Sequence, residues 1–454
     1  MTGTCEARAQ LVSGWGRTAP TAATLLVPGT EGDVREALRR CDGPVIARGL
    51  GRSYGDSAQS AGGTVVDCSH LGAIRAVDVE RAVVTVAGGA SLDALMRGLV
   101  PLGLFVPVTP GTRHVTVGGA IASDIHGKNH HHDGSFCDYV ESMVLGLPDG
   151  RRLEVTPDDD VFWATAGGLG LTGVVVEATL RMRPVATSSM VVDTWRAADL
   201  DECMAGLEAS DAAHRYSVAW IDCLAKGARL GRSVITCAEH AQVDDLQGRA
   251  RSRPLGFDPR SLLGAPEGVP SGLMNRATVG AFNEVWFRKA PRRRRRSVQS
   301  ISAYFHPLDG VRGWNRLYGP RGFLQHQSLV PFGQEAALRT IIERLAASGC
   351  ASFLAVLKRF GPSNAGPLSF PMPGWTLALD LPIGPPALGA MLDELDELVV
   401  DAGGRIYLAK DSRMRAELVP EMYPRLDEWR AVQRSVDPGA RLHSDQARRL
   451  QLLG

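Results

Sequence analysis

The chain has 454 residues, of which 44% are apolar and 22% charged, with a formal net charge of +1; this is a soluble globular composition at a length that calls for two or three domains. The near-neutral charge gives no reason to expect a nucleic-acid binder, and no apolar run of about 18 residues is present to span a bilayer. The eight cysteines include no CxxC pair, which argues against a disulfide scaffold or a zinc site. The N-terminal segment lacks the apolar stretch of a secretory signal. Together these features place the protein in the cytoplasm or peripherally on a membrane, with the periplasmic side left open.

In chain order, residues 32–41 have helical apolar spacing, and 44–53 run a strand into a glycine turn. Residues 64–71 and 81–89 are Val-rich and strand-like, and 91–100 return to the helical period. A hairpin is predicted over 139–157, with Pro148, Asp149 and Gly150 at its turn. Residues 161–185 pass from a short helix through glycines into a strand. Beyond about Pro184 longer strands alternate with the amphipathic helices 334–348 and 387–403, as in an α+β domain on an antiparallel sheet. Residues 243–299 are poorly periodic and contain the run Arg292–Arg296, so an exposed, mobile insertion is expected there. The last 50 residues are too few for a domain and are expected to pack back on the first part of the chain.

Three glycine-rich segments carry the chemistry. Arg48-Gly49-Leu50-Gly51-Arg52-Ser53-Tyr54-Gly55-Asp56 follows a strand, and its glycines let successive N–H groups turn toward a diphosphate, with Arg52 to neutralise charge. Taken alone, this is as well read as a plain turn. The second segment runs from Pro110 to Ala120 and the third from Ala166 to Gly173. Neither has the context of a GxGxxG nucleotide fold or ends in the GK[ST] of a phosphate loop. The consecutive His130, His131 and His132 are poorly spaced for one ion, and no metal is expected.

The order RGLGRSYGD, PGTRHVTVGGAIASDIHGKNHH and FWATAGGLGLTG resembles the vanillyl-alcohol oxidase superfamily of FAD enzymes. Within it, the chain is similar over nearly its whole length to the oxidases of polyprenyl-phosphoryl ribose, the flavin subunits of a two-protein epimerase in the actinobacterial cell-wall arabinan pathway. The resemblance implies an α+β fold of two domains. An FAD domain would be built from residues 1–185 and a returning segment 405–454, around a substrate domain 186–404. It implies non-covalent FAD, since Ser53 and Tyr54 stand where some relatives carry a flavin-linked histidine. Cofactor contacts are implied for Gly49, Gly51, Arg52, Ser53, Tyr54 and Gly55 in the first loop. Gly111, Val117, Gly118, Gly119, Ala122 and Ser123 follow in the second, with Gly127 and Asn129 after it, Gly173 in the third and Tyr407 in the tail.

His126 and Lys410 are implied as the catalytic pair beside the flavin, where a cation stabilises developing charge and a base removes the hydroxyl proton; which does which is left open. The implied substrate pocket is Trp220, Gln325, Gln327, Lys358 and Asp380, in which Lys suits a phosphate and Gln the sugar hydroxyls. A strand-end charge is the plainer reading of Lys358, and core packing that of Trp220 and Trp286. Phe305, Thr376 and Ala378 depart from the family pattern, where tyrosine, asparagine and cysteine stand, and the first two bear on which sugar is bound. The implied function is FAD-dependent oxidation of a ribose 2′-hydroxyl on a lipid-linked phosphoryl sugar. An NAD(P)H-dependent reductase would be the partner, and quinone or O₂ the electron acceptor. The arginine run is compatible with peripheral contact with an anionic membrane or with a solvated loop. The alternatives are a soluble sugar or alditol oxidase using O₂, and a non-catalytic flavin-binding subunit. A lipid-carrier substrate predicts an apolar channel; a polyol predicts none.

Overall fold

The computed structural model describes residues 6–454 except 262 and 351. It is a mixed α/β structure with three substantial sheets. The first has the spatial order Glu6–Val12, Thr21–Val27, Thr64–Asp67, Val45–Arg48, with the last three strands parallel. The helix Glu31–Arg40 makes the crossover. Its N-cap Thr30 accepts from the Asp33 amide while the Asp33 carboxylate accepts from the Thr30 amide, a reciprocal cap that fixes where the helix starts. The second sheet is antiparallel, in the order Ile74–Asp78, Val83–Ala87, Val174–Arg181, Val140–Gly146, Arg152–Val155. The hairpin expected over 139–157 is its outer pair.

The third sheet is antiparallel and has eight strands, ordered Arg295–Ser300, Ser189–Ala197, Ser233–His240, Tyr216–Ile221, Ala355–Phe360, Gly374–Pro382, Phe323–Pro331, Arg405–Ile406. Side chains alternate between its faces. Ala219, Ile235, Cys237, Leu357, Leu377 and Leu379 are fully buried in one core with Leu338, Ile341, Ile342 and Leu345 of the helix Glu335–Ser348 and Leu392 and Leu395 of the helix Leu388–Asp401. Their neighbours Val218, Trp220, Val234, Thr236, Val356 and Lys358 point to the opposite face and line a cavity. One sheet thus serves as core on one side and as a binding wall on the other.

The stretch 243–299, expected as an exposed, mobile insertion, is exposed over most of its length and contains regular elements. Residues Arg276–Lys289 form a 14-residue helix, and Arg295–Ser300 is the edge strand of the large sheet, paired through six positions with Ser189–Thr194. Arginines suit an edge strand because their charge blocks pairing with another chain. The helix gives no apolar period because it buries only Val279 and Asn283. At the other end of the chain, the Trp429 indole donates to Ala164 O at 2.9 Å, and Val45 N donates to Arg441 O at 2.8 Å. The tail therefore lies against the first sheet and the helix Asp160–Thr165. Of the cysteines, Cys5 lies outside the described residues and the other seven are free thiols.

Candidate functional site

The cavity, about 680 Å³, runs between the glycine loops and the free face of the large sheet. The first loop leaves the strand Val45–Arg48 and folds over its own arginine. Arg48 donates to Ser13 O at 2.8 Å and Ala58 O at 3.2 Å. Gly51 has φ +62°, and a Cβ there would stand 2.2 Å from the Arg48 guanidinium. Gly49 is pressed against Thr116, where a Cβ would lie 2.2 Å from Oγ1. Thr116 in turn caps the helix Val117–Ala122 by accepting from Gly119 N at 3.1 Å. The first and second loops are thereby locked together, and both line the cavity. Arg52 lies 3.8 Å over the Trp15 ring, and its buried Nε has no protein partner.

The tail supplies the opposite wall. Tyr407 donates its hydroxyl to Ser123 O at 2.6 Å and stacks on Phe370 at 4.7 Å, while its amide donates to Gln327 O at 2.9 Å. One turn on, the Lys410 ammonium sits 4.1 Å from the centroid of Tyr54. His126 is packed between Phe360, Phe370 and Tyr407. Its Nε2 is 2.9 Å from the Gln327 amide, which also donates to Thr376 Oγ1 at 3.1 Å. Burial, then Lys358, His130 and Lys410, hold the His126 pKa well below the usual histidine range, so the ring is neutral at pH 7.

Three lysines face the same space. By accessible surface each is only half-buried, because it lines the cavity, yet protein encloses it. Burial pushes Lys128 and Lys358 down to about 7 and Lys410 to about 8. Like charge adds to the first two, since Lys358 acts on Lys128 and Lys410 on Lys358, whereas Asp380 supports the charge on Lys410. Asp380 is itself raised to about 7 by burial, against the hydrogen bond it accepts from Gln325 and the attraction of Lys410. A cavity with this many cations and so little counter-charge suits an anionic ligand.

Most of the residues expected at the site meet at this one cavity. Gly49, Gly51, Arg52, Ser53, Tyr54, Gly111, Gly118, Gly119, Ala122, Ser123, Gly127, Gly173 and Tyr407 line it, as do His126, Lys410, Trp220, Gln325, Gln327 and Lys358. Four do not line it. Gly55 packs against the Asp411 carbonyl, Val117 is a core residue, and Asn129 is turned away to hold Pro107 O at 2.9 Å. Asp380 is fully buried behind Gln325. The three adjacent histidines turn to different partners. His130 accepts from Gly361 N, His131 lies 3.1 Å from His214 O, and His132 meets Asp133. Thr376 takes part by anchoring Gln327. Ala378 and Phe305 are plain wall.

A family of FAD binding domains matches residues 22–156. The chain is 47% identical over 448 residues to the decaprenylphosphoryl-beta-D-ribose oxidase of Mycolicibacterium smegmatis, and the alignment covers 97% of each protein. It is 43% identical over 371 residues to an uncharacterized protein of Streptomyces coelicolor, covering 80% of this chain and all of that one. The chain belongs to the decaprenylphosphoryl-beta-D-ribose oxidase family. More distantly, it is 27% identical over 158 residues to the D-lactate dehydrogenase of Anaerostipes hadrus, with 33% of each chain covered.

The cofactor is FAD, and the walls fit it. The glycine cradle cannot accept a Cβ at Gly49 or Gly51, Arg52 has an unpaired donor, and the tail brings aromatic surface and a cation to the far end. Two parts of the cavity wall are not among the residues expected from the sequence. Lys128 stands two residues after His126; its ammonium donates to Tyr304 O and lies 4.1 Å over that ring. The second is an apolar strip across the large sheet, formed by Val192, Thr194, Val218, Val234, Thr236 and Val356. Its signal is the two-residue alternation inside each strand, which reading the strands as uniformly apolar runs hides.

Proposed function

We propose that this chain oxidises the 2′-hydroxyl of a polyprenyl-phosphoryl-β-D-ribose to the 2′-keto sugar, the first half of an epimerisation. The observation that carries the reading is the two-part character of the cavity. Its catalytic end holds His126, Gln327, Lys410 and Lys358. Lys358 is register-paired with Thr376, and its strand neighbour Val356 pairs with Trp220. From that strand the apolar strip crosses three strand spacings, about 14 Å, to the strand Ser189–Ala197, next to the edge strand. A phosphoryl sugar on a hydrocarbon tail is amphiphilic in the same sense and order. The name of the Mycolicibacterium relative supports the sugar and the lipid class.

In this reading Lys358 and Lys128 hold the phosphoryl group by charge, and Gln325 and Gln327 read the ribose hydroxyls. Lys410, with its pKa brought near neutrality, takes the hydroxyl proton. His126 is too weak a base for that step and instead presents a neutral ring held in place by Gln327 and Thr376. Bound FAD supplies the two-electron acceptor for the hydride that leaves C2′. Phe360, Phe370 and Tyr407 pack around His126 and fix the orientation of its ring. FAD is held non-covalently, because the 48–56 loop offers no histidine or cysteine. The domain division is 1–185 with 405–454 around 186–404. A separate NAD(P)H-dependent reductase completes the epimerisation, and quinone or O₂ reoxidises the flavin. A lipid-anchored substrate also implies peripheral contact with a membrane.

The apolar strip weighs against a soluble polyol oxidase, and the gathering of Lys410, His126 and Gln327 in one cavity weighs against a non-catalytic subunit. The test is anaerobic. A short-chain polyprenyl-phosphoryl ribose should bleach the visible flavin band of the purified protein, while free aldoses and alditols should not. Bleaching by free polyols alone, or by no sugar on a fully loaded flavin, rejects the reading.

A further inference from the structure

The helix Arg276–Lys289 and the bend after it are poorly covered for their chemistry. Val285 is 66% exposed and Trp286 42% exposed. The tryptophan is braced from behind, stacked on Phe282 at 5.9 Å, which meets Phe353 at 4.6 Å. Residues 284–296 contain seven Lys or Arg and one carboxylate. Arg288, Arg294 and Arg296 are paired with Glu284, Asp193 and Asp245. Lys289, Arg292, Arg293 and Arg295 are exposed, and no ion pair to a carboxylate is formed by them among the described residues. The same corner is a mouth of the cavity, because Trp286, Lys289, Ala290 and Gln299 line it and the first two are exposed.

We infer that this corner docks on the surface of an anionic phospholipid bilayer, with Val285 and Trp286 set into the headgroup boundary and the cavity mouth facing the acyl chains. An apolar pair beside unpaired cations is the composition of an interfacial anchor, and unpaired Lys and Arg near an anionic leaflet each add favourable energy. Amphipathic Trp belongs at that depth. The inference rests on the lipid-linked substrate only for its purpose, namely a route by which a tail passes from bilayer to sheet face without crossing water.

The experiment uses the FAD-loaded full chain and no substrate. Flotation is measured with vesicles of phosphatidylcholine alone and of phosphatidylcholine with phosphatidylglycerol. The protein should float with the anionic vesicles and be released in 1 M salt, where the Debye length falls to about 3 Å. The triple substitution Arg292→Gln, Arg293→Gln, Arg295→Gln should weaken anionic-vesicle binding by about 100-fold, and Val285→Asp should weaken it further. Both variants should keep their flavin and their turnover of a short-chain substrate in solution, which separates lost docking from lost folding. Equal flotation with neutral vesicles, no flotation at all, or retention on duplex DNA without vesicle binding would overturn the inference. Vesicle binding with a flavin that no lipid-linked sugar reduces would leave docking standing and remove the proposed substrate.

Discussion

Lys410 is pulled in opposite directions by its surroundings: enclosure takes its pKa down to about 8, and Asp380 resists. If it is the proton acceptor, the neutral amine is the active form. The rate of flavin reduction at saturating substrate should then rise about tenfold per pH unit below 8 and level off above it. Lys358 and Lys128 act in the opposite sense, because phosphate binding needs them charged and each titrates near 7. The bound anion raises both pKa values, so kcat/KM should be bell-shaped while kcat shows only the rising limb. Stopped-flow reduction over this range checks it, and a rate that falls with pH would make Lys410 a fixed cation instead. Lys410→Ala should lower the reduction rate by about 10²–10⁴-fold with flavin retained. At this scale the sequence was informative where a residue sits in a dense motif, as His126 and Lys410 do. It was not where orientation decides. Asn129 and Asp380 occupy the right segments, but their side chains serve Pro107 and Gln325. Lys128 is not legible beside His126, because no spacing rule says which way a loop lysine turns.

Among the elements, the short C-terminal helix Asp445–Arg449 does more than its length suggests. Arg449 is bidentate to Asp56 at 2.8 and 3.1 Å and reaches Asp411 at 2.8 Å. It therefore ties the end of the first glycine loop to the residue after Lys410. Arg449→Met removes the cation from two poorly exposed carboxylates. It should cost about 2 kcal/mol, lower Tm by a few degrees and weaken FAD retention. Thermal melts and flavin content after gel filtration check this, and an unchanged flavin content would make the tie structurally idle. No periodicity announces such a clip, since Asp56 lies 393 residues before Arg449. The strands and helices with an apolar face, such as 91–100, 334–348 and the 139–157 hairpin, were legible because one side of each is buried. The helix Arg276–Lys289 and the strand Arg295–Ser300 were not, because each buries little and the period vanishes with the burial.

Across the whole molecule the parts share their cores. One buried cluster contains Ile46 and Val65 of the first sheet, Leu377 and Leu379 of the large sheet, and Trp429 and Leu452 of the tail. A second joins Val84 and Leu180 of the second sheet to Val192, Tyr216 and Phe305. Domains that fold independently would keep such clusters apart, so division at residues 185 and 404 should not produce separate unfolding units. The cavity reinforces this, since its wall runs from Trp15 to Lys410 and draws on all three sheets. A ligand that fills it stabilises whatever cooperates with the wall, by about 2.7 kcal/mol at a free concentration 100 times Kd. Removing FAD should therefore shift one cooperative transition downward as a whole, and adding FAD back should restore it. Calorimetry of the holo and stripped protein decides the point. Two resolved transitions, with only one moving with FAD, would mean that the shared clusters are surface contacts between separate domains. A single transition that moves intact would mean that the flavin loops, the substrate wall and the returning tail stand or fall together.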